Sequence, residues 1–250
     1  MQNIEEQLKT IVIASEELIE GASNLTLRRN YVRFNNAQGY YQAYMESIKQ
    51  QIQLMKGYAT SYKGFERLNP QDRAKVFMET RFNLICGEGF IYRDVCYIAC
   101  SSSDNFLKAL DYYPWLQSSV QLVERSRQLW RFIQNLNFTK YETSFYLAFL
   151  FFSVFERPNV LSSLTAEVIT YLSEAISDLK KSYQSYMAKQ YPNNGLYEQR
   201  SELMKLAVRL TTEESEYRVK TGKKMVVPKF NGDDIGTRYY NVINSKVPHE

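Results

Sequence analysis

The residues able to do chemistry in this 250-residue chain are few and poorly placed for catalysis. His249 is the single histidine and lies next to the C-terminus, which removes most zinc sites and most Ser/His or Cys/His arrangements. Three cysteines, Cys86, Cys96 and Cys100, form an odd set. Cys96 and Cys100 are four apart and share a face if their segment is helical. They read as buried reduced thiols, with a redox pair or a metal half-site as the alternative. No glycine-rich phosphate loop occurs and the carboxylates are scattered over polar faces, so no catalytic residue, metal or cofactor is expected. Glu142 stands apart, because it precedes the run "FYLAFLFF" (Phe145–Phe152), where an unpaired carboxylate would be expensive to bury.

Composition bounds what positions these groups. A hydrophobic content of 44% is enough for one large core, and residues 1–250 are expected to form a single domain, since no repeat or linker divides them. Ten glycines and six prolines are few, and Leu, Glu, Lys, Gln and Arg recur, which favours helices. The 20 tyrosines suit a core with polar spots or a binding cavity. The net charge of +4, with its basic residues broken up as in "RVKTGKK" (Arg218–Lys224), falls short of a nucleic-acid footprint, and that segment reads as a solvated loop. The N-terminus carries acids at once and lacks a signal peptide's basic start, and the longest apolar run falls short of the roughly 20 residues a membrane span needs. A soluble intracellular protein is expected, and the sequons at Asn24 and Asn137 are read as chance.

Helical periodicity recurs along the chain. Leu8, Ile11, Val12, Leu18 and Ile19 mark a first helix. Tyr41, Tyr44, Met45, Ile48, Ile52 and Met55 mark a second, from about 38 to 62. Gly64 stops it, Phe65 and Leu68 form an apolar corner, and Asn69-Pro70 with Asp72 caps a third helix expected to break at Gly87 and Gly89. Further helices are predicted at 118–136, 140–155, 164–187 and 195–217. The fourth of these seven is expected to stripe Val120, Val123, Leu129, Trp130 and Ile133. The fifth is apolar nearly all round, is stopped by Pro158 and belongs in a middle layer. The sixth points Val168, Leu172, Ile176 and Leu179 inward, and the last carries Leu203, Leu206, Val208 and Leu210. An all-α helical sandwich follows from this pattern.

The order of motifs resembles the ligand-binding domain of nuclear hormone receptors, most like the divergent nematode receptors, over about residues 38–217. Tyr58, Ala59, Phe65, Leu68, Asp72, Val76 and Phe77 match that family's signature across its third to fifth helices, with Gly64 before the Phe; Thr60 stands where the family has Lys, and Arg73 where it has Gln. "LNFTKYETSFYLAFLFF" is similar to its eighth helix through Leu136, Phe138, Glu142, Phe145, Tyr146, Ala148 and Phe152. "YEQRSELMKL" is similar to its tenth, with Arg200 before Leu203 and Leu206.

The resemblance implies a three-layer antiparallel helical sandwich and a nuclear protein that controls transcription, ligand-regulated or constitutive; the alternative is a ligand-free helical interaction scaffold with a filled core. It implies an apolar small-molecule or lipid ligand facing Tyr44, Ser47, Ile48 and Gln51, with Ile85 and Cys86 opposite; the plain alternative is that these residues fill a core. It implies a groove for transcriptional coregulators at Thr60, Lys63, Asp72, Lys75 and Val76. Its recognition chemistry is altered by Thr60 and by a C-terminal "GDDIGTRYYNVINSKVPHE" that lacks the family's Glu-bearing apolar activation pattern. It implies a structural ion pair between Glu142 and Arg200, and homo- or heterodimerisation through Glu198–Leu210. The family's two four-cysteine DNA-binding zinc modules have no counterpart among the three cysteines here, so no nucleic-acid contact from this chain is expected.

Overall fold

The computed structural model describes residues 2–23, 53–92, 120–222, 229–230 and 233–234. The described chain is all-helical apart from a minimal antiparallel ladder of two two-residue strands, β1 (Lys229–Phe230) and β2 (Asp233–Asp234).

Helix α1 (Gln2–Ser23) buries Ile11, Val12, Ala14 and Leu18, the stripe its periodicity dictates. Helix α2 covers residues 53–60 and buries Met55, Tyr58 and Ala59. It stops at Thr60, whose hydroxyl donates to the Gly57 carbonyl at 2.8 Å, so the expected end at Tyr62 falls in the following turn. Gly64 reverses the chain with φ of +88°, a left-handed conformation that costs glycine little. A 3-10 turn (Phe65–Arg67) follows, with Phe65 and Leu68 buried as plugs beneath the corner.

Helix α3 (Pro70–Tyr92) starts where its cap predicts but does not break at Gly87 and Gly89; it runs through both. A helical glycine costs only about 1 kcal/mol, which a helix packed against four others can absorb. Helix α4 (Val120–Asn135) follows, with Ile133 buried and Leu129 and Trp130 packed on the core. Helix α5 (Lys140–Ser153) ends before Phe155: a 3-10 turn (Val154–Glu156) separates it from Pro158. That proline stops nothing; it opens the short helix α6 (Pro158–Leu161) at the first position, where its missing N–H is not needed. Thr165 caps α7 (Ala166–Gln190), and α8 spans Asn194–Gly222.

Helix α5 is the centre of the described structure. Phe145, Tyr146, Leu147, Ala148, Leu150, Phe151 and Phe152 are all buried, covered by α1, α3, α7 and α8, while α4 packs on α3 and α8. A helix without a polar face needs cover on every side. On α7, Val168, Leu172 and Leu179 are buried and Ile176 packs against the core. On α8, Leu203, Leu206, Val208 and Leu210 are half-buried, and the buried face is Ser201, Met204, Ala207, Thr211, Glu214 and Ser215. Thr211 and Glu214 on this face meet Tyr146 and Arg125 on neighbouring helices, which a count of apolar residues cannot see.

Candidate functional site

Two junctions and an aromatic interior make up the candidate site. The first junction is built on the start of α5. Thr139 takes extended backbone angles as N-cap and its Oγ1 accepts from the Glu142 N–H at 3.2 Å. The Glu142 Oε2 accepts from the Thr139 N–H at 2.9 Å, so cap and carboxylate serve each other in a capping box. Arg200 on α8 donates Nη2 to the same oxygen at 2.8 Å and Nε to Oε1 at 3.0 Å; the Tyr191 hydroxyl donates to Oε1 at 3.1 Å. Each carboxylate oxygen thereby accepts two hydrogen bonds. Arg200 spends its Nη1 on the Leu136 carbonyl at 2.7 Å, at the end of α4, and lies over the Phe138 and Tyr191 rings. Asn137, between them, has φ of +46°, a turn conformation that asparagine tolerates.

Glu142 is 1% exposed and Arg200 16%. Burial pushes the Glu142 carboxyl up, but the Arg200 hydrogen bonds, the Thr139 amide, the Arg200 charge and the Tyr191 hydroxyl outweigh it and hold the group below its ordinary value. The guanidinium's own cost of burial is likewise outweighed by Glu142, which keeps it protonated. Thr139, Tyr191 and the Leu136 carbonyl were not singled out from sequence; the spacing Thr139-x-x-Glu142 was the available signal.

The second junction is the corner from Gly64 to Lys75. The Asn69 Oδ1 accepts from the Asp72 N–H at 2.9 Å and its Nδ2 donates to Asp72 Oδ2 at 2.7 Å. The Thr165 hydroxyl, itself the cap of α7, donates to that Oδ2 at 3.1 Å, and the Lys75 ammonium donates to the Ser163 carbonyl. The Gly64 N–H donates to Glu66 Oε2 at 3.1 Å, and a Cβ on Gly64 would sit 3.1 Å from the Tyr171 ring. The corner is thus fastened to the start of α7.

Beneath the corner the rings close up. Tyr62 stacks on Phe151 with centroids 5.0 Å apart and meets Phe152 edge-on at 5.0 Å. Tyr58 meets Tyr62 edge-on, and their hydroxyls share a hydrogen bond of 2.8 Å. Burial holds both phenols, and Tyr171, well above their ordinary values, so all stay neutral.

Of the groove residues, Thr60 and Lys63 are exposed. Asp72 and Val76 are not available to a partner: Val76 is fully buried, and Asp72 is spent between Asn69 and Thr165. Lys75 is half-buried and tied to Ser163. Tyr44, Ser47, Ile48 and Gln51 lie outside the described residues, as do Cys96 and Cys100; Ile85 and Cys86 lie on α3, where only their backbone is described. Over Glu198–Leu210, Glu198, Glu202, Lys205 and Arg209 face solvent. Among the described residues no group of three His, Cys, Asp or Glu side chains could hold a metal ion, and no helix is long and apolar enough to cross a membrane. No protein-family model matches the chain, and no curated protein matches it.

Proposed function

We propose that this chain is a nuclear-receptor ligand-binding domain: a regulatory, non-catalytic module of the three-layer sandwich type that acts in the nucleus through coregulators and a receptor partner. The observation that carries the reading is the Glu142–Arg200 junction. The resemblance pairs these residues across 58 positions, and both guanidinium bonds to the carboxylate are made. Two further features support it. The Gly64 stop, the Phe65 and Leu68 plugs and the Asn69 restart follow the motif's order, and α5 is covered by four helices as a middle layer requires.

The stacked rings of Tyr58, Tyr62, Phe151 and Phe152 favour a second reading, a ligand-free scaffold with a filled core. Native mass spectrometry of the purified protein, combined with thermal shift across a lipid panel, separates the two. A co-purifying lipid-sized mass, with a raised Tm for the matching lipid class, supports the receptor with a ligand. A clean apo mass and a flat panel select the scaffold. With Thr60 in the groove and Lys75 engaged, a Leu-rich helical coactivator peptide is expected to bind weakly in fluorescence polarisation, and Thr60→Lys to strengthen it. No gain in that variant removes the groove from the proposal.

A further inference from the structure

We propose that the segment Thr211–Tyr217 of α8 is an electrostatically latched strap that opens independently of the rest of its helix. The preceding turns are held by apolar burial: Met204 and Ala207 are buried, and Leu203 and Val208 pack on the core. From Thr211 onward the inward face changes character, with Thr211, Glu214 and Ser215 all buried and all polar. Contacts made by this segment reach α5, α4 and α6. Thr211 Oγ1 lies 2.7 Å from the Tyr146 hydroxyl and Thr212 Oγ1 3.2 Å from Ser153 Oγ, both at α5. Arg125 of α4 donates to Glu214 at 2.7 Å and places its guanidinium 4.7 Å from the centre of the Tyr217 ring. Arg157, at the head of α6, reaches Glu216 at 2.8 Å.

The two halves of α8 respond differently to water. Exposing Met204 and Ala207 forfeits apolar burial outright, whereas hydroxyls and carboxylates uncovered at the strap exchange protein partners for water at a small net cost per bond. Salt acts on the latch chiefly at the Arg157–Glu216 pair, whose side chains are 28% and 37% exposed, and less at Arg125–Glu214, where the arginine is 52% exposed but the carboxylate only 1%. An open strap would uncover Tyr146 and Ser153 and, behind them, the Asn83 amide of α3, which donates to Ser153 Oγ at 2.8 Å. The device therefore gates a hydrogen-bonding face where α3 and α5 meet. It is independent of the receptor reading.

Hydrogen–deuterium exchange on the full chain tests it, with rates corrected for intrinsic exchange at each salt concentration. Amides of 211–217 are expected to exchange about threefold or more faster in high salt than in low salt, with 200–208 unchanged, as weakening of the rim pair and, to a lesser extent, of the Arg125–Glu214 pair implies. The double substitution Arg125→Gln with Arg157→Gln is expected to give the fast rate already at low salt and to abolish the salt response. Equal acceleration of 200–208, or salt-independent exchange of 211–217 in the unmodified protein, would overturn the proposal without any variant having to fold.

Discussion

Glu142 does two jobs with one carboxylate, and they can be separated. Glutamine at the third helical position still completes a capping box, so Glu142→Gln keeps the local cap and removes the charge, while Glu142→Ala removes both. Breaking a buried pair from one side costs about 3–5 kcal/mol, and about 1 kcal/mol shifts Tm by 2–4 °C for a chain of this size, so Glu142→Ala should lower Tm by about 6 °C or more. Glu142→Gln should lower it less, and Arg200→Ala about as much; calorimetry on the three variants checks the order. An unchanged Tm in Glu142→Ala would mean that the pair has no structural role. The pH dependence has a definite sign. With the folded carboxyl held below its unfolded value of about 4.3, its contribution is complete above that pH and is lost as pH falls through the folded value. Urea midpoints measured between neutrality and acid should therefore fall more steeply in the unmodified protein than in Glu142→Gln.

At the scale of elements, the corner between α2 and α3 depends on two residues with opposite talents. Gly64→Ala places a side chain at φ +88° and a Cβ 3.1 Å from the Tyr171 ring, which should cost about 1–3 kcal/mol. Asn69→Ala removes the cap and orphans one of Asp72's donors, costing about 1 kcal/mol or somewhat more. Denaturant titration reads both, and a neutral Gly64→Ala would show that the turn relaxes. This corner was legible in sequence because its chemistry is local: glycine, proline and a capping amide state their geometry within six residues. The inward face of α8 was not, because Thr211 and Glu214 are buried by partners 65 and 89 residues away, and nothing in their own neighbourhood announces it. Asp72 and Val76 show the same limit from the other side. A motif fixes their position on α3, but Thr165 and the packing around α3 decide that they face inward.

At the scale of the molecule, the all-apolar character of α5 announced a covered helix, and four neighbours cover it. What periodicity left open was which rings meet. Tyr62, just past its helix, joins Tyr58, Phe151 and Phe152 in one cluster, so Phe151→Ala should cost about 3–5 kcal/mol, measured as a lowered urea midpoint. The buried phenols give a second readout. Desolvation raises Tyr58, Tyr62 and Tyr171, and carries Tyr183 to about 12, so these groups favour the fold at neutral pH and oppose it once the pH exceeds the unfolded value of about 10. Phenolate absorbance should rise in two stages, exposed tyrosines first and the buried set only with loss of helical circular dichroism; a single smooth stage would place the latter rings in water. The central position of α5 also matters during synthesis. When the ribosome releases it, α1 and α3 already exist to receive it, but α7 and α8 do not, so one side of the stickiest helix stays bare until some 70 further residues have emerged. Throughout that interval the aromatic rings of α5 are apolar surface of the kind that makes a half-made chain prone to aggregate.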